Sequence, residues 1–155
     1  MSTTTAGFTT VLDEACEIQD GVSLAALAEE LSAKFSCSVF AVMNHDDDVL
    51  YFELYEAGTK TDEYNSNPNY FGEGEVDGPS GGDARRLCES LQAGDAATVE
   101  AVLRKDDYVF ETERHRDLAL ALGMPDFSVG VGYNYARAGD FMPGTSNGAF
   151  EHSAV

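Results

Sequence analysis

The chain of 155 residues carries 28 Asp and Glu against 9 Lys and Arg, a formal net charge of −19 at pH 7. Hydrophobic residues make up 43% of it, which is typical of a chain that folds around a core and not of a disordered one. So large a negative charge repels phosphate groups, which argues against a nucleic-acid partner and against an anionic membrane surface. The charge favours a basic partner or metal ions, or else serves only solubility in a salt-rich cell interior.

The length fits one domain, which we expect to occupy residues 1–138. Residues 139–155 are poor in apolar side chains and are predicted to form a loosely held tail. No apolar run is long enough for a membrane span, and the first seven residues lack the pattern of a secretory signal. Cys16, Cys37 and Cys88 have no CxxC spacing, which predicts reduced, mostly buried thiols and a cytoplasmic location.

The first elements in chain order are a short β-prone run at residues 8–12 and, after a break at Asp20 and Gly21, an amphipathic helix. We predict Ser23 as the N-cap of this helix, because a serine side chain accepts hydrogen bonds from the free N–H groups of the first turn. Apolar residues recur at the spacing of one helical face: Leu24, Leu27, Ala28, Leu31 and Phe35.

Three strands are predicted next, over residues 39–43, 49–55 and 60–64. The first is continuously apolar, as in a central strand covered on both faces, and the second is rich in β-branched and aromatic residues. The third is more polar, which favours a position at an edge of the sheet. Turn-prone segments at residues 44–48 and 56–59 join the strands, and turns this short favour an antiparallel meander.

A long loop is predicted over residues 65–82, which contain two prolines and five glycines. Asp83 and Asp95 then cap two helices, and a third helix runs over residues 108–122 and ends at Gly123. Residues 127–135 alternate between apolar and small or polar side chains, which predicts a last strand that joins the sheet.

The assembled order is strand, helix, three strands, three helices and strand. It predicts an α+β fold in which an antiparallel sheet of about four or five strands has helices packed on one face.

One acidic segment has part of the pattern of a calcium loop. Asn44, Asp46 and Asp48 have the spacing of its first three ligands. Val49 and Tyr55 then stand where the pattern needs Gly and Glu. A solvated hairpin turn is therefore the preferred interpretation, and no metal site is predicted.

The histidines give no catalytic motif. His45 and His115 have no companion at the spacing of zinc ligands. Glu111 precedes His115 by four residues, so the two could form an acid–base or ligand pair, or a solvated contact on the helix surface. No nucleophile motif or phosphate-binding motif occurs, and we predict no catalytic residue and no cofactor.

Residues 62–71 are the predicted partner-binding segment, because they combine three aromatic side chains, three amides and two acids. Tyr and Asn contact protein partners at low entropic cost. The candidate residues are Asp62, Glu63, Tyr64, Asn65, Asn67, Tyr70 and Phe71. The alternative is that the polar residues satisfy their own turn while the rings fill a gap in the core.

The sequence thus predicts a non-catalytic protein–protein interaction module whose partner is a protein with a basic surface, for example a toxin that it neutralises. The alternative is an enzyme or a small-ligand binder whose site is built from residues 65–71 and nearby carboxylates, with His45 or His115. The oligomeric state is left open.

Overall fold

The computed structural model describes residues 1–72, 76 and 78–141. These residues form an α+β fold with a four-stranded antiparallel sheet, as predicted. The α-helices and strands are α1 (Gly21–Phe35), β1 (Ser38–His45), β2 (Val49–Glu56), β3 (Thr59–Asn65), β4 (Ser80–Gly81), α2 (Ala84–Leu91), α3 (Ala96–Arg104), α4 (Glu111–Leu122) and α5 (Tyr133–Ala138). Two 3₁₀ turns, Glu14–Ile18 and Asp126–Ser128, complete the elements.

The strands form the predicted meander in the order β1-β2-β3-β4. The turn between β2 and β3 is tight, because Ala57 and Gly58 both have positive φ angles, 48° and 79°. Gly58 also donates its N–H to Ser32 of α1 at 3.0 Å, which holds the turn against the helix. The strands at the edges of the sheet differ from the prediction. β1, which was predicted to be a central strand, lies at an edge. β3, which was predicted to lie at an edge, pairs at its end with the short β4.

The main core lies on one face of the sheet. Alternate residues of β2 point to this face and are fully buried, because strand side chains alternate between faces. They pack against apolar residues of α2, α3 and α4. The buried members of this core are Leu50, Phe52, Leu54, Tyr64, Ala84, Leu87, Val99, Leu103, Leu118 and Leu122.

Helix α1 packs on the opposite face, where Ala28 contacts Ala41 of β1 and Tyr55 of β2 in a second buried cluster. The expectation that the helices pack on one face therefore holds for α2 to α4 and is wrong for α1. The reason is the composition of β1, whose apolar residues alternate to both faces, so that each face needs a cover.

Two predicted strands are wrong. Residues 8–12 form no strand, and only an isolated bridge joins Thr5 to Phe8. Residues 127–135 form part of a 3₁₀ turn and the start of α5. Phe127 and Val129 are buried as the alternation required, but Tyr135 is exposed. A short alternating run fits a 3₁₀ turn followed by a helix as well as it fits a strand, so periodicity alone did not separate them.

Helix α1 begins earlier than predicted, with Asp20 as its N-cap in place of Ser23. The Asp20 carboxylate accepts hydrogen bonds from the N–H groups of Val22 and Ser23. At the other end Phe35 is 63% exposed and lies outside the buried face. Ser32 is fully buried there, because its hydroxyl donates to the Cys37 carbonyl and accepts from the Gly58 N–H.

The predicted caps of the later helices are confirmed. Asp83 accepts from the Arg86 N–H and Asp95 from the Thr98 N–H, at the first turns of α2 and α3. Helix α4 starts three residues later than predicted and ends at Gly123 in the left-handed conformation.

The three cysteines are free, but Cys37 is exposed, which corrects the expectation of buried thiols. Among the described residues, no helix is both long enough and apolar enough to cross a membrane. Most of the predicted tail, residues 142–155, lies outside the described residues, as do residues 73–75 and 77 of the predicted loop.

Candidate functional site

The turn between β1 and β2 holds three consecutive acids, Asp46, Asp47 and Asp48. Asp46 and Asp47 have positive φ angles, and the Asp48 N–H donates to the His45 carbonyl at 2.9 Å. This tight turn places the three carboxylates at the end of the sheet. The hairpin interpretation of the segment is confirmed.

Asp47 caps the N-terminus of α4 from outside the helix. Its Oδ1 accepts the Thr112 N–H at 2.6 Å, and its carbonyl accepts the Glu111 N–H at 3.1 Å. The residue at the N-cap position itself, Phe110, has no side chain that can do this. Burial alone would raise the pKa of Asp47, but the hydrogen bonds from Thr112 and Asn44 outweigh it and hold that pKa below its ordinary value.

This geometry does not favour calcium binding. The amide nitrogen of Asn44 donates to Asp47 at 3.2 Å and to the Thr112 hydroxyl at 2.8 Å, so the side chains of Asn44 and Asp47 both bind at the start of α4. The Asn44 Oδ1 is buried and has no hydrogen-bond partner among the described residues. The described residues contain no group of three or more His, Cys, Asp or Glu side chains that could hold a metal ion.

Two aromatic rings of the predicted partner-binding segment lie against this turn. Tyr70 and Phe71 pack edge-on against each other, with ring centroids 5.0 Å apart, and both contact the His45 ring, at 5.8 and 5.1 Å. The Tyr70 hydroxyl donates to Asp48 at 3.1 Å, which raises the pKa of Tyr70. Tyr70 is nevertheless 40% exposed and Phe71 58% exposed, so the rings cover the hairpin and still face solvent.

A third exposed ring flanks the same turn from the side of α4. Phe110 is 54% exposed and immediately precedes Glu111, whose N–H is bound by Asp47. Asp46 and Asp48 are the exposed acids of this turn. We call this set, Asp46, Asp48, Tyr70, Phe71 and Phe110, the hairpin-end surface.

The other candidate residues of the predicted segment lie beside or below this surface. Asn65 accepts the Asn67 N–H at 2.9 Å, and the Asn67 carbonyl accepts the Tyr70 N–H at 3.1 Å, so both asparagines shape the turn that presents the rings. Tyr64 is only 1% exposed and donates its hydroxyl to the Leu103 carbonyl at 2.8 Å. Its assignment to a binding surface is therefore wrong, because a ring stacked in the core on Phe52 cannot contact a partner.

The two acids of the segment lie further along β3. The Asp62 carboxylate accepts the Asp83 N–H at 2.7 Å and so holds the entry to α2. Glu63 pairs with Lys60 at 2.6 Å. Both are remote from the β1–β2 turn, since Asp62 pairs with Leu54 near the opposite end of β2.

A buried carboxylate that was missed in the sequence lies on the face of the sheet that α1 partly covers. Glu53 is buried and accepts hydrogen bonds from Tyr51 at 2.7 Å, Tyr55 at 2.9 Å and Lys60 at 3.0 Å. Burial would raise its pKa, but these three donors outweigh burial and lower it. Alternation along β2 places Tyr51, Glu53 and Tyr55 on one face, which was the available signal. With its oxygens occupied, Glu53 stabilises the sheet and is a poor candidate for an acid or a base.

The pair Glu111 and His115 is not the solvated contact or catalytic pair that the sequence suggested. Glu111 pairs with Arg114 at 2.8 Å, and all three side chains are buried. Arg114 also donates to the Val102 and Leu103 carbonyls at the end of α3. Burial lowers the pKa of His115 to about 4, so this histidine is neutral at ordinary pH.

A shallow groove of about 340 Å³ lies away from residues 65–71. It is lined by charged and polar residues: Glu56, Asp83, Arg85, Arg86, Glu89 and Ser90. The small-ligand alternative required a pocket formed by residues 65–71 with carboxylates, and this groove does not include them.

Comparison of the chain with protein-family models, curated proteins and solved structures gives no match.

Proposed function

We propose that this chain is a non-catalytic interaction module of the cytoplasm that binds a basic protein partner through the hairpin-end surface. The observation that supports it best is the exposure of Tyr70 and Phe71 among carboxylates on a well-braced hairpin. Three free thiols are consistent with a reducing compartment.

The chemistry of the surface suits Lys and Arg side chains. An exposed ring face attracts a cation, by about 0.5–1 kcal/mol for each exposed cation–π contact. Neighbouring carboxylates add an electrostatic attraction for the same cation. Asp46 and Asp48 supply these charges next to Tyr70 and Phe71. The chain's net charge of −19 adds a long-range field that accelerates encounter with a positively charged protein.

The rings are also held in place before any partner arrives. Tyr70 is fixed by its hydrogen bond to Asp48 and by contacts with His45 and Phe71. The turn itself is fixed by two N–H groups at the start of α4, one of which donates to the Asp47 carboxylate and the other to the Asp47 carbonyl. A surface ordered in advance loses less conformational entropy on binding, so small aromatic anchors can dominate the affinity. A basic toxin or nuclease is the kind of partner that this surface fits.

Two charge-reversal variants test the proposal. Partners are first captured from cells that express the chain and identified, and each is then purified and titrated by calorimetry. Asp46→Lys with Asp48→Lys should weaken binding by about a hundredfold, because two attractive charges become repulsive at the contact. The matched control, Glu29→Lys with Glu30→Lys on the exposed side of α1, changes the net charge equally and should weaken binding less than about fivefold. Equal losses in both variants would refute a local site and leave only a general charge effect.

A further inference from the structure

His45, the last residue of β1, contacts three members of the hairpin-end surface. Its ring centroid is 5.8 Å from that of Tyr70 and 5.1 Å from that of Phe71. Its Nε2 lies 3.7 Å from the Asp46 carboxylate, and its side chain is partly buried. A charge on His45 would therefore act on both rings and on one acid of the surface.

The turn and the loop after β3 supply the charged and titratable groups nearest to His45. Asp46 faces its Nε2, and the Asp48 N–H donates to its carbonyl. The Tyr70 hydroxyl donates to the Asp48 carboxylate, which raises the pKa of Tyr70 and keeps this ring neutral at ordinary pH. His45 is therefore the group of this cluster that can gain a positive charge when the pH falls.

The other elements around His45 contribute no ion pair to it among the described residues. Its partner in β2 is the buried, apolar Val49. At the start of α4, Glu111 is buried and paired with Arg114, and Asp47 accepts an N–H of the helix. Helix α1 packs on β1 through apolar side chains. The charge of the surface near His45 is thus set mainly by the turn.

Two opposing effects act on the protonation of His45. Its Nδ1 is buried and has no partner among the described residues, so a proton there finds no acceptor. The nearby Asp46 carboxylate and the net charge of −19 favour the positive form. Histidine is the side chain that ordinarily changes its charge between pH 5 and 8, so His45 is the group through which a moderate change of pH can act on this surface.

We propose that protonation of His45 regulates the hairpin-end surface and weakens its binding of a basic partner. The inference rests on the proposed function and adds its regulation by pH. A protonated ring repels the Lys and Arg side chains of the partner and pairs with Asp46, one of the acids that would attract them. It also presents a cation to Tyr70 and Phe71, whose faces would otherwise attract that of the partner. The surface therefore binds at neutral pH and releases its partner in an acidic medium.

A peptide of six lysines, blocked at both ends, tests the regulation, because its own charge is constant between pH 7.5 and 5.5. Its affinity for the intact chain, measured by calorimetry at constant ionic strength, should fall about threefold to fivefold at pH 5.5. This is the effect expected of one unit charge added within a Debye length of the bound cation. In the free chain, the NMR ring signals of Tyr70 and Phe71 should titrate with the midpoint of the His45 imidazole. By linkage, that midpoint should move about half a pH unit lower when the peptide saturates the chain.

Three variants separate His45 from other titrating groups. His45→Phe keeps a ring at this position and His45→Gln keeps a polar side chain, and neither side chain titrates. In each, the ratio of the affinities at the two pH values should fall below about twofold. The control His152→Gln, at a position outside the described residues, should keep the full ratio. A folded variant of His45 that keeps the wild-type ratio would overturn the regulation.

The outcomes also separate the regulation from the proposed function. Peptide binding that is equally tight at both pH values, or a His45 imidazole that stays neutral down to pH 5.5, would overturn the regulation and leave the proposed function in place. Absence of binding at both pH values would overturn the attraction for cations on which the proposed function depends, and the regulation with it.

Discussion

The buried, neutral His115 makes the stability of this fold depend on pH in a defined window. The side chain lies on α4, and its Nδ1 has no hydrogen-bond partner among the described residues. Glu111, one turn earlier on the helix, is paired with Arg114, and burial is the cause that lowers the histidine pKa to about 4. Between pH 6.5 and 4, His115 is therefore mostly protonated in the unfolded chain and mostly neutral in the folded chain.

The sign and size follow from proton linkage. The pKa is 6.5 for an ordinary histidine and about 4 in the folded chain, so the unfolded chain binds more protons between these values. The contribution of neutral His115 to the free energy of unfolding is fully present above pH 6.5 and is lost as the pH falls towards 4. Integration over the interval from neutral pH to roughly pH 5 gives a loss of about 2 kcal/mol.

Replacement by leucine isolates this contribution. His115→Leu keeps a buried side chain of similar size that does not titrate, whereas carboxylate titration and general charge repulsion are common to both proteins. Urea unfolding of the wild type and the variant, near neutral pH and near pH 5, gives the difference in their free energies of unfolding. Between neutral pH and pH 5, the wild type should lose about 2 kcal/mol more of its free energy of unfolding than the variant does. A difference that is the same at both pH values would refute the buried, neutral state of His115.

Three further substitutions test contacts that hold the fold and the surface. Asp47→Ala should lower the free energy of unfolding by about 1–2 kcal/mol through loss of the cap on α4, whereas Asp46→Ala should lower it by less than about 0.5 kcal/mol, measured by urea unfolding. Arg114→Met should cost about 3–5 kcal/mol, because it leaves the buried Glu111 unpaired; a milder loss than about 1 kcal/mol would contradict the pairing. Gly58→Ala should cost about 1–3 kcal/mol in thermal unfolding, since its φ is 79° and the new Cβ would lie 2.9 Å from Ala33 Cβ.

The parts of the fold that the sequence predicted are those with strong local signals. The apolar runs of β1 and β2, separated by short polar turns, required antiparallel hairpins, and Asp83 and Asp95 have the side chain that a helix N-terminus needs. The order of strands across the sheet was only partly predictable. An apolar run indicates that both faces are covered, and it carries no information on whether a neighbouring strand exists.

The mispredicted residues are polar side chains whose partners are distant in the sequence. Glu111, Arg114 and His115 have the spacing of a solvated helix face, but all three are buried, and Arg114 donates to carbonyls at the end of α3. Tyr64 and Tyr70 both follow polar residues, so the sequence predicted that both are exposed. The alternation of side chains along β3 instead directs Tyr64 into the core.

The candidate surface was predictable in composition and not in location. Tyr70 and Phe71 were identified from their unusual loop, whereas their contact with His45 and Asp48 depends on the return of the chain to the β1–β2 turn. The link between Asp47 and α4 spans 65 residues of sequence, so no local pattern contains it.

The most direct test of the proposed function is an NMR titration of the ¹⁵N-labelled chain with a basic partner recovered from its own cells. The largest changes in amide shifts should occur at Asp46, Asp48, Tyr70 and Phe71, and Tyr70→Ala with Phe71→Ala should weaken binding by at least about tenfold, while Tyr135→Ala on α5 leaves it unchanged. Changes confined to the groove around Arg85 and Arg86, with full affinity retained by the Tyr70 and Phe71 double variant, would contradict it.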